Sequence, residues 1–198
     1  MGFKYLGDAN WSDITRDERY FCSHLYHHIL KDVMGFVSFL HNSEVYSFTE
    51  EELKQRWEIG FEVCFYRDFI KKFKSKQRGD LLRSQKNKKG EYSPKRTFDL
   101  CLFGPSKIII IEAKAQGRFN SKQNTEFEKD EQQILQLIKD PSVQVDLIAL
   151  ASSKYFSNMD NRKKPLPKVI QAHNMNWKML FDYYKEDVFK NADESYGK

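Results

Sequence analysis

Two acids and a lysine in the middle of the chain are placed as catalytic groups are placed. Asp99 lies inside the run 97–103 (TFDLCLF), and Glu112, Ala113 and Lys114 close the run 107–114 (KIIIIEAK). Charges at the end of an apolar run are costly unless they are paired or bind an ion. Two carboxylates that converge repel each other, and a hard divalent cation such as Mg²⁺, or Mn²⁺ in its place, relieves the repulsion. Such an ion polarises a phosphoryl oxygen and lowers the pKa of bound water. Lys114 can orient that water, help to deprotonate it, or stabilise the negative charge that builds in the transition state. The main-chain carbonyl of Ala113, between the two side chains, is well placed as a further ligand.

This chemistry requires a hairpin. Both runs are β-rich and flank Gly104-Pro105-Ser106, a tight turn. Side chains alternate across a strand, so Glu112 and Lys114 share a face. Pairing around Pro105 sets Asp99 opposite about residue 111, and a slight register shift or the twist of the sheet brings it beside Glu112. The second run is apolar on both faces, as in a strand buried within a sheet.

The surrounding elements follow from periodicity and caps. Thr15 and Glu18 form a capping box, and Phe21, Cys22, Leu25, Ile29 and Leu30 follow at helical steps, which predicts a helix over 15–41 with a break near Gly35. A second capping box, Thr49 and Glu52, precedes Leu53, Trp57, Phe61, Cys64, Phe65 and Phe69, and predicts a helix over 50–73. Residues 74–94 are polar and broken by Gly79, Gly90 and Pro94; they read as a loop with one weak strand near 80–83. A helix over 126–139, a strand over 143–151, a polar loop over 152–167 and a final helix over 168–190 complete the pattern. The expected class is α/β, a small mixed central sheet flanked by helices. The expected organisation is one domain: 1–73 mainly helical, 74–96 a basic loop, 97–151 the catalytic core, and 152–198 a C-terminal loop and helix.

Composition narrows the partners. With aromatics at 15%, this is a folding chain, not a disordered one. The net charge of +5 permits a polyanionic partner. The segment 71–96 holds eleven Lys or Arg against two acids, Asp80 and Glu91, and could track a nucleic-acid backbone. The three cysteines, Cys22, Cys64 and Cys101, show neither CxxC nor zinc-ligand spacing and read as reduced core thiols. The N-terminal residues lack a signal-peptide apolar stretch. The longest wholly apolar run, 147–151, is too short to cross a membrane, so a cytoplasmic protein without a membrane partner is expected.

Phe98-Asp99, then twelve residues, then Glu112-Ala113-Lys114 after four isoleucines resembles the PD-(D/E)xK nuclease superfamily, the restriction-endonuclease-like fold. The resemblance implies an αβββαβ core, here with an extra N-terminal helical region. It implies Mg²⁺-dependent (or Mn²⁺-dependent) phosphodiester hydrolysis, with Asp99 and Glu112 as metal ligands and Lys114 as the catalytic lysine. It also implies a nucleic-acid substrate, most simply DNA cut by an endonuclease of restriction, repair or mobile-element type, working as a homodimer. An exonuclease or junction-resolving enzyme is the alternative. A binding module that keeps the fold without turnover is the non-enzymatic one.

Members of the superfamily often add a carboxylate from an early helix. Glu18 is that candidate metal ligand, although the capping box already accounts for it, and Glu58 and Glu62 compete. Gln132 and Gln133 resemble a glutamine that exonuclease-like branches aim at the site; an exposed polar helical face is the simpler explanation. Gln116, Arg118, Asn120, Lys122, Gln123 and Asn124 could contact phosphates or base edges, or form an ordinary solvated loop. His24, His27 and His28 have spacings that permit metal binding but lack a further His or Cys partner, and read as packing and surface residues.

Overall fold

Continuous apolar runs at 100–103 and 108–111 commit the chain to strands buried on both faces, which helices must cover. The computed structural model describes residues 18–72, 96–119, 123–157 and 171–197. In chain order its elements are α1 (Glu18–Lys31), α2 (Val33–Asn42), a 3-10 turn (Glu52–Lys54), β1 (Glu58–Val63), α3 (Phe65–Lys72), β2 (Phe98–Phe103) and β3 (Lys107–Ala113). Then follow α4 (Gln123–Ile138), β4 (Gln144–Ala151), α5 (Ser153–Ser157), β5 (Asn174–Asn176), α6 (Trp177–Tyr184) and α7 (Asp187–Glu194). The five strands form one sheet in the order β1-β2-β3-β4-β5. The first two pairings are antiparallel and the last two parallel. A parallel pair cannot be joined by a tight turn, and α4 carries the crossover from β3 to β4.

Helices cover both faces. On one, Leu100, Leu102, Ile109 and Ile111 pack with Phe21, Leu25 and Ile29 of α1, with Phe36 and Leu40 of α2, and with Trp177 and Phe189 from the C-terminal helices. On the other, Cys101, Ile108 and Ile110 pack with Phe127 and Ile134 of α4 and Tyr155 of α5. Ile109, Ile110 and Ile111 are fully buried, as a two-faced core strand requires. All three cysteines are free and buried. Among the described residues no helix is long and apolar enough to cross a membrane.

Several expectations change. The helix expected over 50–73 is instead a 3-10 turn, a strand and a shorter helix. The capping box does form: Thr49 N donates to Glu52 Oε2 at 2.9 Å, and Glu52 N to Thr49 Oγ1 at 3.2 Å. It closes a single turn, because Gln55 is extended at φ −83°, ψ 158°. Beyond it Trp57, Ile59, Phe61 and Val63 recur at every second residue, and pairing with β2 satisfies a whole strand of backbone groups at once. Leu53, Trp57, Phe61 and Phe65 fit a helix template as well, and tertiary pairing decides between the two. The N-terminal helix is broken at Asp32, three residues before Gly35; the Asp32 carboxylate caps α2 by accepting from Gly35 N at 2.7 Å. The final helix expected over 168–190 is divided too. Residues 174–176 add a fifth strand, Asn176 caps α6 by accepting from Met179 N at 2.9 Å, and a left-handed Lys185 (φ 60°) ends it. The expected loop over 152–167 contains α5 at its start. Thr15, the weak strand at 80–83 and the loop over 74–94 lie outside the described residues.

Candidate active site

Register brings the carboxylates together. Leu100 pairs with Ile111, and one step further along the same ladder sets Asp99 level with Glu112, one residue beyond the position estimated from the turn. On the other side of β2, Phe61 pairs with Leu100 and Val63 with Phe98, so Glu62 between them is level with Asp99. Residues 62, 99 and 112 therefore occupy one row across three neighbouring strands. Glu62 reaches its place in a left-handed conformation, φ 52°, which costs a non-glycine residue on the order of 1 kcal/mol.

Each group is held by named contacts. The Asp99 carboxylate accepts from Ala113 N at 2.8 Å, so β3 orients it directly. The backbone of Lys114 is fixed on two sides: its N–H donates to Leu150 O at 2.7 Å and its carbonyl accepts from Trp177 Nε1 at 3.1 Å. The Lys114 ammonium donates to Glu18 Oε2 at 2.7 Å and to the Ala113 carbonyl at 2.8 Å. It lies 5.7 Å from the centre of the Phe119 ring. An ammonium has three donors, which leaves one for a substrate or a water.

Glu112 is 9% exposed, and its Oε2 has no hydrogen-bond partner among the described residues. Its Oε1 faces Arg96 NH1 at 3.7 Å, beyond hydrogen-bond length. Arg96 is gripped instead by Asp130 of α4, through Nε at 3.0 Å, and lies over the Phe98 ring at 4.9 Å. Burial pushes the Glu112 carboxyl up to about 7, with the Asp99 charge adding to the shift and Arg96 opposing it. Burial raises Asp99 too, against the Ala113 hydrogen bond and the Lys114 charge. Burial disfavours the Lys114 ammonium, but Glu18 and the other carboxylates more than offset this and hold its pKa above the usual lysine value.

The structure therefore brings Asp99, Glu112, Ala113, Lys114 and Glu18 together, with Glu62 on the neighbouring strand. Glu62 belongs to a strand, where a helix was expected. Glu58 is at the far end of β1, opposite Phe103, exposed and 3.3 Å from Arg56, and does not join the site. Gln132 is exposed; Gln133 lines a small cavity with Arg96, Asp130, Phe98 and Tyr66. Gln116 and Arg118 are exposed, Arg118 lying 5.9 Å over the Tyr196 ring. Asn120, Lys122 and 73–95 of the basic segment lie outside the described residues, and Gln123 and Asn124 are described only as helical backbone. His24 packs edge-on against Tyr20, and His28 against Tyr184 and Phe189, where burial lowers its pKa. Arg96 and Asp130 went unrecognised from sequence. The detectable sign was Asp130 itself, a charge on the buried stripe of Phe127, Ile134 and Leu137 in α4.

Among the described residues no three His, Cys, Asp or Glu side chains are arranged to hold a metal ion. The donors that do converge, two carboxylates and the Ala113 carbonyl, are hard oxygens of the kind Mg²⁺ and Mn²⁺ prefer, and the unpartnered Glu112 oxygen is free to accept such an ion. Compared with models of known protein families, with curated proteins and with solved structures, the chain matches none, so its function is argued from the site itself.

Proposed function

We propose that the chain is a metal-dependent nuclease of the PD-(D/E)xK type that hydrolyses phosphodiester bonds, acting on DNA as an endonuclease. The observation that carries this reading is the buried, unpartnered Glu112 oxygen beside Asp99 and the tethered ammonium of Lys114. The element order supports it: helix, three antiparallel strands, helix and a fourth strand parallel to the third agree with an αβββαβ core, with α3 inserted after the first strand.

Asp99, Glu112 and the Ala113 carbonyl would hold Mg²⁺ or Mn²⁺. When bound, the ion supplies charge neutralisation at a phosphoryl oxygen and makes a water more acidic. The chain's residues do the rest. The Ala113 N–H keeps Asp99 in one orientation, and Glu18 and the Ala113 carbonyl anchor the Lys114 ammonium, which has one donor more. Lys114 then orients the attacking water and stabilises the charge that grows on the phosphoryl oxygens. The water oxygen bonds to phosphorus while the bond from phosphorus to the departing sugar oxygen breaks; the water gives up a proton and the departing oxygen takes one. Glu18 as a ligand and as the lysine's anchor are two uses of one carboxylate, and the 2.7 Å ion pair favours the anchor.

Incubation with Mg²⁺ or Mn²⁺ and a panel of closed circular plasmid, linear duplex, single strands, branched junctions and RNA tests the reading. Nicking or linearisation of the closed circle supports an endonuclease, and shortening from ends alone supports an exonuclease, the alternative favoured by Gln133 beside Arg96. No cleavage of any substrate with either metal would refute the proposal.

A further inference from the structure

Arg96 is a cation in a site that already holds the lysine the proposed chemistry needs. Among the described residues its guanidinium is hydrogen-bonded at one edge only. Asp130 takes Nε at 3.0 Å and the Phe98 ring lies beneath at 4.9 Å. The terminal NH1 points at Glu112 from 3.7 Å, too far for a hydrogen bond, and NH2 bonds to none of the described residues. Asp130 is itself 9% exposed, so a buried carboxylate is committed to this one arginine. A buried anion that serves a single cation costs desolvation and leaves that cation positioned with its forked donors unspent. The Arg96 side chain is 31% exposed, so those donors are reachable from outside. A planar guanidinium with free terminal donors matches a phosphate oxygen better than any other side chain does.

We propose that Arg96 is a catalytic residue that binds the scissile phosphate, and that Asp130 is the positioning residue that holds it. In the free protein the guanidinium partly neutralises Glu112; once a divalent ion occupies that carboxylate, Arg96 NH1 and NH2 are released to the phosphoryl oxygens. The inference rests on the nuclease reading above.

Four proteins test it: wild type, Arg96→Gln, Asp130→Asn and the double variant, which removes both charges and so does not leave the Asp130 carboxylate without its cation. Mn²⁺ binding without DNA is measured by calorimetry, DNA binding in non-cleaving Ca²⁺, and single-turnover cleavage with Mn²⁺. Arg96→Gln is expected to bind Mn²⁺ several-fold more tightly, since a cation near Glu112 is gone. DNA affinity should change only a few-fold, while cleavage slows by about 100-fold, as when a single transition-state donor is removed. Asp130→Asn should slow cleavage by roughly 10-fold or more, and the double variant should be no slower than Arg96→Gln, because Asp130 acts through the arginine. Arg96→Gln that cuts like wild type, loses of the two single variants that multiply in the double, or weaker Mn²⁺ binding in Arg96→Gln would each overturn the inference. A wild type that binds Mn²⁺ and cuts nothing overturns the nuclease reading itself, which separates the two failures.

Discussion

Replacing Glu112 by Gln removes a carboxyl whose charge is costly to bury, and that cost can be read as stability. The Glu112 carboxyl is pushed from 4.5 to about 7, chiefly by burial and then by Asp99. Between those values the folded chain keeps a proton that the unfolded chain has lost. A carboxyl raised in this way stabilises the fold fully below its unfolded pKa, and that stability is lost as pH rises through the folded pKa. From about pH 5.5 to the folded value lie roughly 1.5 units, each worth about 1.4 kcal/mol, so wild type should lose about 2 kcal/mol between about pH 5.5 and pH 8.5 that Glu112→Gln does not lose. Asp99 shifts in the same direction but is present in both proteins and largely cancels. Urea unfolding with chelator at the two pH values gives the difference directly. Stability curves for the two proteins that stay parallel across this range would refute the claim that Glu112 is buried at an energetic cost.

Two further substitutions probe the frame around the site. Glu62→Gly relieves the left-handed strain at φ 52° and should stabilise the fold by about 1 kcal/mol in thermal melts. Gly104→Ala should cost about 1 to 3 kcal/mol by urea unfolding, because a Cβ there would lie 2.6 Å from Trp57 Cη2, and that indole is buried, bonded to Glu52 O and packed edge-on against Phe48.

The centre of the fold was legible because its code is local. Gly104-Pro105-Ser106 between two β-rich runs specifies a hairpin, and alternation then fixes which charges share a face. Asp140-Pro141 after α4 and the apolar run that became β4 were equally plain. What failed was the segment around Trp57. Its apolar residues satisfy a two-residue and a helical spacing at once, and only β2, some forty residues later in the chain, decides between them. Asn174–Asn176 gave still less to read: three residues with no β-branched side chain become a strand because β4 offers an unpaired edge. In the site, Asp99, Glu112 and Lys114 could be read from their strands. Arg96 could not, because its partner Asp130 is 34 residues away and only the β3–α4–β4 crossover brings them together.

Cleavage of closed circular DNA with Mg²⁺ or Mn²⁺ by wild type, Asp99→Ala and Lys114→Ala, each checked for folding by its melting curve, tests the central assignment most directly. If Asp99 holds the ion and Lys114 the attacking water, wild type cuts only with added metal, Asp99→Ala and Lys114→Ala fall by at least about 100-fold, and Asp99→Ala also loses metal-dependent stabilisation. Metal-dependent cutting that survives both substitutions in folded proteins would place the chemistry somewhere other than this row of charges.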